Sequence, residues 1–133
     1  MVSSSLVSSS AQQGAQEEKT VETKSGLKYI DLVVGTGPAV SPGKRITCEY
    51  VGKFENGKTF DSSIDHGKPF KYIQGITGLI PGWVEGASTM KEGGKRRLYI
   101  PYKLGYGSEG TPDGTIPPNA NLIFELEILK VES

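Results

Sequence analysis

Hydrophobic and polar positions alternate most clearly over RITCEYVGKF, residues 45–54. Ile46, Cys48, Tyr50 and Phe54 fall on one face, Thr47, Glu49 and Lys53 on the other, the period-2 signature of a half-buried strand. ENGKTF follows, and its Asn56-Gly57 pair is a hairpin signal. KPFKYI and KRRLYI read as short strands. NLIFELEIL sets Leu122, Phe124, Leu126 and Ile128 against Ile123, Glu125, Glu127 and Leu129. Only one segment has helical spacing, with Ile80, Trp83, Val84, Ala87 and Met90 at roughly 3.6-residue intervals. Pro81 suits a first helical turn, where a missing N–H costs nothing. Gly93-Gly94 lies past the end, so the pattern predicts a helix of about two turns from Pro81 to Ser88. One short amphipathic helix among antiparallel strands predicts an α+β fold, a sheet wrapped over the helix with Trp83 pointing into its concave face.

Composition changes this picture at the N-terminus. MVSSSLVSSSAQQGAQEEKT has no aromatic residue and little that can be buried, so residues 1–24 read as a disordered Ser/Ala/Gln-rich tail and residues 25–133 as one folded domain. The tail lacks the basic start and long apolar centre of an intact secretory signal. As written the chain reads as cytoplasmic; a signal removed upstream would make it extracytoplasmic or organellar. Elsewhere, 18 glycines and 8 prolines predict many turns. The 15 basic and 15 acidic residues balance, which argues against a nucleic-acid or anionic-membrane binder. No apolar run approaches the ~18 residues of a membrane span.

The single Cys48 rules out an internal disulfide, and the single His66 rules out a His-rich metal site. There is no nucleophile elbow, HExxH helix or phosphate loop, and VVGTG lacks a phosphate-cradle spacing. Asp61 and Asp65 in DSSID read as turn-capping residues rather than an acid/base pair. KEGGKRR reads as a solvated turn entering a strand. The aromatic set Tyr50, Phe60, Phe70, Tyr72, Trp83, Tyr106 and Phe124 comes from different elements, and a β-domain core alone would account for each member. Its combination with the long loop GYGSEGTPDGTIPPNANL, apolar at Ile116-Pro117-Pro118, points instead to a shallow hydrophobic pocket.

FDSS, KPF, IPGWVEG, LGYG and IPPNA, in this order and spacing, resemble the FKBP-type peptidyl-prolyl isomerases, the macrolide-binding immunophilins. The match runs from about Gly26 to Glu132. The resemblance implies a twisted antiparallel sheet of five or six strands around one short helix, and an isomerase that accelerates X-Pro rotation without metal or cofactor. It implies proline-containing polypeptides and FK506/rapamycin-type macrolides as ligands, and a monomer. Carried over by motif, Trp83 forms the pocket floor, Tyr50, Phe60, Phe70 and Phe124 the walls, and Leu79 and Ile80 one edge, with the Ile80 N–H free to donate. Tyr106 offers its hydroxyl, Ile116 closes the pocket from the loop side, and Asp61 is a polar group at the rim or inside. Three departures stand out: His66 where relatives often carry a basic residue, Leu79 where valine is common, and a loop from Gly107 to Ile116 one residue longer. The rival reading is a binding module or holdase with little isomerase activity.

Overall fold

The computed structural model describes residues 19–132. Its strands are β1 (Thr20–Glu22), β2 (Lys28–Val33), β3 (Arg45–Phe54), β4 (Thr59–Ser62), β5 (Phe70–Ile73), β6 (Lys95–Ile100) and β7 (Leu122–Glu132), with one α-helix, α1 (Pro81–Ala87), between β5 and β6. All pairings are antiparallel and join one seven-stranded sheet in the order β1-β2-β6-β7-β3-β4, with β5 also on β3. The α+β architecture is the expected one, with seven strands rather than five or six.

Two of the strands lie where the pattern gave no sign of them. Thr20–Glu22 falls inside the span expected to be tail, yet Thr20 pairs with Ile30 and Glu22 with Lys28. The ordered chain therefore starts before Ser25. All three residues are exposed, so backbone pairing at a sheet edge, not burial, holds them. The rest of the expected tail, residues 1–18, lies outside the described residues. The second unmarked strand is β2, whose sequence KYIDLV is only partly buried and has no clean alternation.

The long strand β3 organises the sheet. One edge pairs with β7 along its whole length, from Arg45 opposite Glu132 to Phe54 opposite Leu122. The other edge is shared: β5 takes the first half, ending with Cys48 opposite Phe70, and β4 takes the second, starting with Val51 opposite Ser62. Tyr50 stands in the gap. Buried Ser63 satisfies its backbone there, donating its N–H to the Tyr50 carbonyl at 3.0 Å and accepting the Tyr50 N–H on Oγ at 3.1 Å. On β7 the alternation breaks at Lys130, beside the register slip between Thr47 and Cys48 of β3. The extra residue leaves both Leu129 and Lys130 exposed and returns Val131 to the core, as a β-bulge does.

The helix lies close against β6 because its facing positions have no side chain. A Cβ on Gly82 would come 2.6 Å from Ile100 Cγ2, and one on Gly86 2.5 Å from Leu98 Cδ2. The i, i+4 glycines thus form a flat stripe against two fully packed residues, and Trp83 and Ala87 are buried beside it. Gly86→Ala must displace Leu98 or lift the helix. It is expected to cost ~1–3 kcal/mol despite alanine's better helix propensity. Denaturant unfolding of the variant checks this; a stabilised protein would contradict the close approach.

Candidate active site

Trp83 sits one turn into α1. Ile80 precedes the helix in an extended conformation, and Pro81 takes the first helical position. Ile80's carbonyl accepts from the Trp83 and Val84 amides, while its own N–H has no partner among the described residues. The indole is only 5% exposed and rises against the concave face of the sheet. Four aromatic rings surround it at centroid distances of 5.1 Å (Tyr50), 5.4 Å (Phe124), 5.8 Å (Phe70) and 6.0 Å (Tyr72), all edge-to-face. Phe60 reaches the cluster through Phe124, 5.7 Å away. A Cβ on Gly52 would stand 2.8 Å from Phe60 and 2.9 Å from Phe124, so the bare backbone of β3 is what admits both rings.

These side chains enclose an open cavity of about 440 Å³ above the indole, of small-ligand size. Tyr50, Phe60, Asp61, Phe70, Leu79, Ile80, Trp83, Tyr106 and Phe124 line it, which brings nine of the expected site residues together. Gly78, Pro81 and Gly105 complete the wall and are not among the expected site residues, although Pro81 is expected to start the helix there. Their signal was position: two flank the Leu79-Ile80 edge and the third directly precedes Tyr106.

Two expected residues stand elsewhere. Ile116 is fully packed in the core and is not among the residues lining the cavity. Thr111 ties it inward, with its Oγ1 accepting the Ile116 N–H at 3.0 Å and its own N–H reaching the Ile116 carbonyl at 2.9 Å. The apolar loop therefore anchors itself through Ile116. His66 lies outside the cavity, at the end of the turn Ile64–His66, with Nε2 2.9 Å from Asp61 Oδ1.

The cavity's polar side chains are those of Tyr50, Asp61 and Tyr106. Tyr50 donates its hydroxyl to Asp61 Oδ2 at 2.9 Å, so the Asp61 carboxylate is held between a phenol and the imidazole. Burial and this bond to an anion push the Tyr50 phenol well above its ordinary range. Tyr106, 40% exposed, is also raised, first by burial and then by the Asp61 charge nearby. Cys48, behind Tyr50 on the same face of β3, is pushed up to about 12 by burial and by the charge on Glu49. The tyrosines and the thiol stay neutral through physiological pH. No group of three metal-binding side chains occurs among the described residues, and none of their helices is long and apolar enough to cross a membrane.

Residues 37–129 match the family model described as FKBP-type peptidyl-prolyl cis-trans isomerase. The chain belongs to this family. It is 51% identical over 106 residues to the FK506-binding protein of Neisseria meningitidis serogroup B, covering 80% of this chain and 96% of that one. It is 52% identical over 109 residues to FK506-binding protein 4 of Dictyostelium discoideum, covering 82% of this chain but 29% of that protein, so this chain spans under a third of that relative. The crystal structure of FkpA from Escherichia coli superposes with a TM-score of 0.80 at 38% identity, over 89% of this chain and 54% of that one. The FKBP sheet wrapped over its single helix is thus the fold described above, and the family's activity is peptidyl-prolyl cis-trans isomerisation.

Proposed function

We propose that the cavity above Trp83 is the site where this FKBP-type isomerase rotates X-Pro bonds of polypeptide substrates, and that FK506/rapamycin-type macrolides occupy the same cavity. The observation carrying this reading is the convergence of four aromatic rings on one buried indole at the floor of a cavity of small-ligand size.

The reaction breaks no covalent bond. Its barrier, ~18–20 kcal/mol, is the loss of amide resonance. The uncatalysed step takes ~10–100 s. An ordinary turnover requires about 10³–10⁵-fold acceleration, or ~4–7 kcal/mol. The planar amide is more charge-separated than the twisted one, so an apolar enclosure disfavours the ground state relative to the twist. The proline ring rests on Trp83 between Tyr50, Phe70 and Phe124. The free N–H of Ile80 and the Tyr106 hydroxyl hold the substrate carbonyls on either side while the bond turns. The residue before proline lies against Phe60 and Phe70, where an apolar side chain is favoured and a carboxylate would be desolvated.

The test is a protease-free assay of cis/trans exchange in Leu-Pro and Glu-Pro peptides, with and without rapamycin. The expected result is acceleration of both, greater for Leu-Pro, and abolished by the macrolide. Rapamycin binding without acceleration would make the domain a binding module; acceleration insensitive to rapamycin would place the reaction elsewhere.

A further inference from the structure

The gap between β4 and β5 on the edge of β3 opens a second cleft, of about 290 Å³, lined by Tyr50, Ser63, His66, Lys68, Pro69 and Phe70. It is continuous with the proline cavity: Tyr50 and Phe70 line both, and their edge-to-face pair, 5.7 Å between centroids, is the ridge dividing them. The walls are the faces of Tyr50, Phe70 and Pro69. The cleft's two basic side chains differ in what they have left to offer. His66 is engaged by Asp61, whose other oxygen accepts from Tyr50. The carboxylate of Glu49, next to Tyr50 on β3, takes the Ser63 hydroxyl. Lys68 makes no ion pair among the described residues.

We propose that this cleft is a second substrate subsite, which takes an acidic residue of the polypeptide a few positions from the proline, its methylenes on Pro69 and Phe70 and its carboxylate on Lys68. The proposal rests on the isomerase reading of the neighbouring cavity. A chain seated there and continuing over the Tyr50–Phe70 ridge advances ~3.3–3.6 Å per residue, so the acidic residue stands a few positions from the proline. The two sites then make opposite demands on charge. A carboxylate directly before proline is penalised by desolvation, while one displaced by a few residues meets the Lys68 ammonium, which has no ion-pair partner among the described residues. Glu fits this better than Asp because its longer stem covers the apolar wall before its head reaches the rim.

The experiment is a scan of Leu-Pro peptides carrying Glu or Gln, one position at a time, two to four residues to either side of the proline. Exchange is read by NMR and binding by the emission of Trp83, the chain's only tryptophan. At low salt, one position is expected to favour Glu over Gln in kcat/KM and in affinity by roughly threefold to fivefold. The ratio should shrink at high salt and collapse to about one in Lys68→Gln. No position preferring Glu, or a preference that survives Lys68→Gln, would overturn the proposal. If no peptide is isomerised at all, the isomerase reading fails, and the Glu/Gln ratio in binding alone still decides the subsite.

Discussion

Replacing Trp83 by alanine is expected to lower the unfolding free energy by ~3–5 kcal/mol and to reduce macrolide affinity by more than any other single change in the pocket. The indole is the common neighbour of Tyr50, Phe70, Tyr72 and Phe124, and it projects from a helix that glycines hold close to the sheet. Removing it leaves a void that those rings cannot fill without abandoning the strands that carry them. Trp83→Phe keeps an aromatic floor, so it separates the two effects: most of the stability should return, while affinity recovers only partly. Urea unfolding and calorimetric titration of the two variants check this. An alanine variant that binds macrolide normally would remove Trp83 from the floor of the site.

Arg96→Ala is expected to be the second most damaging substitution, at ~2–4 kcal/mol, although the residue is far from any substrate. Arg96 is 5% exposed. Its guanidinium donates to Asp31 through Nε at 2.7 Å and Nη2 at 3.2 Å, and to the Gly86 carbonyl through Nη1 at 2.9 Å, with Thr89 as a further acceptor. It also lies 3.9 Å over the Tyr29 ring. One cation thus ties β2 to the C-terminal end of α1, where carbonyls would otherwise lack donors. The cost is kept below that of a fully buried pair because the Asp31 side chain remains 31% exposed. Arg96→Met with Asp31→Leu should recover part of the loss, since two apolar side chains leave no charge unpaired. Equal stability of Arg96→Ala and the parent would show the network to be ornamental.

That residue also marks where the sequence stops being readable. KEGGKRR, taken alone, is a solvated turn entering a strand, whereas Lys95 and Arg97 are half-buried on that strand and Arg97 pairs with Glu125. Arg96 is buried because strand alternation points it inward and because its partner Asp31 waits 65 residues earlier in the chain. No local pattern announces a partner so distant. Thr20–Glu22 was hidden for another reason: it contributes backbone hydrogen bonds and no buried side chain. Ile116, whose apolar loop reads as a cover for the pocket, is also tied by that loop's own hydrogen bonds and packs in the core, which the sequence does not announce. What was legible had strong local rules behind it. Arg45–Phe54 follows period 2 over ten residues, Asn56-Gly57 turns the hairpin, and Pro81 with Gly82 starts a helix that places Trp83 toward the sheet. The pocket walls were legible through the family motifs rather than through periodicity, since Phe60, Phe70 and Tyr106 come from elements too short for a pattern.

The central claim is that an apolar pocket turns the X-Pro bond without moving a proton. A general acid–base enzyme shows a pH–rate profile shaped by its catalytic groups. Here the Tyr50 and Tyr106 phenols and the Cys48 thiol are all raised, so each remains protonated and uncharged across neutrality. His66, the only imidazole in the chain, lies outside the cavity against Asp61. The measurement is the kcat/KM for exchange of an uncharged Leu-Pro peptide between about pH 6 and 8, the range in which an imidazole changes charge, in the parent and in His66→Gln. The account predicts acceleration by both proteins and a nearly flat profile in each. A bell-shaped profile that vanished in His66→Gln, or no acceleration at any pH, would contradict it.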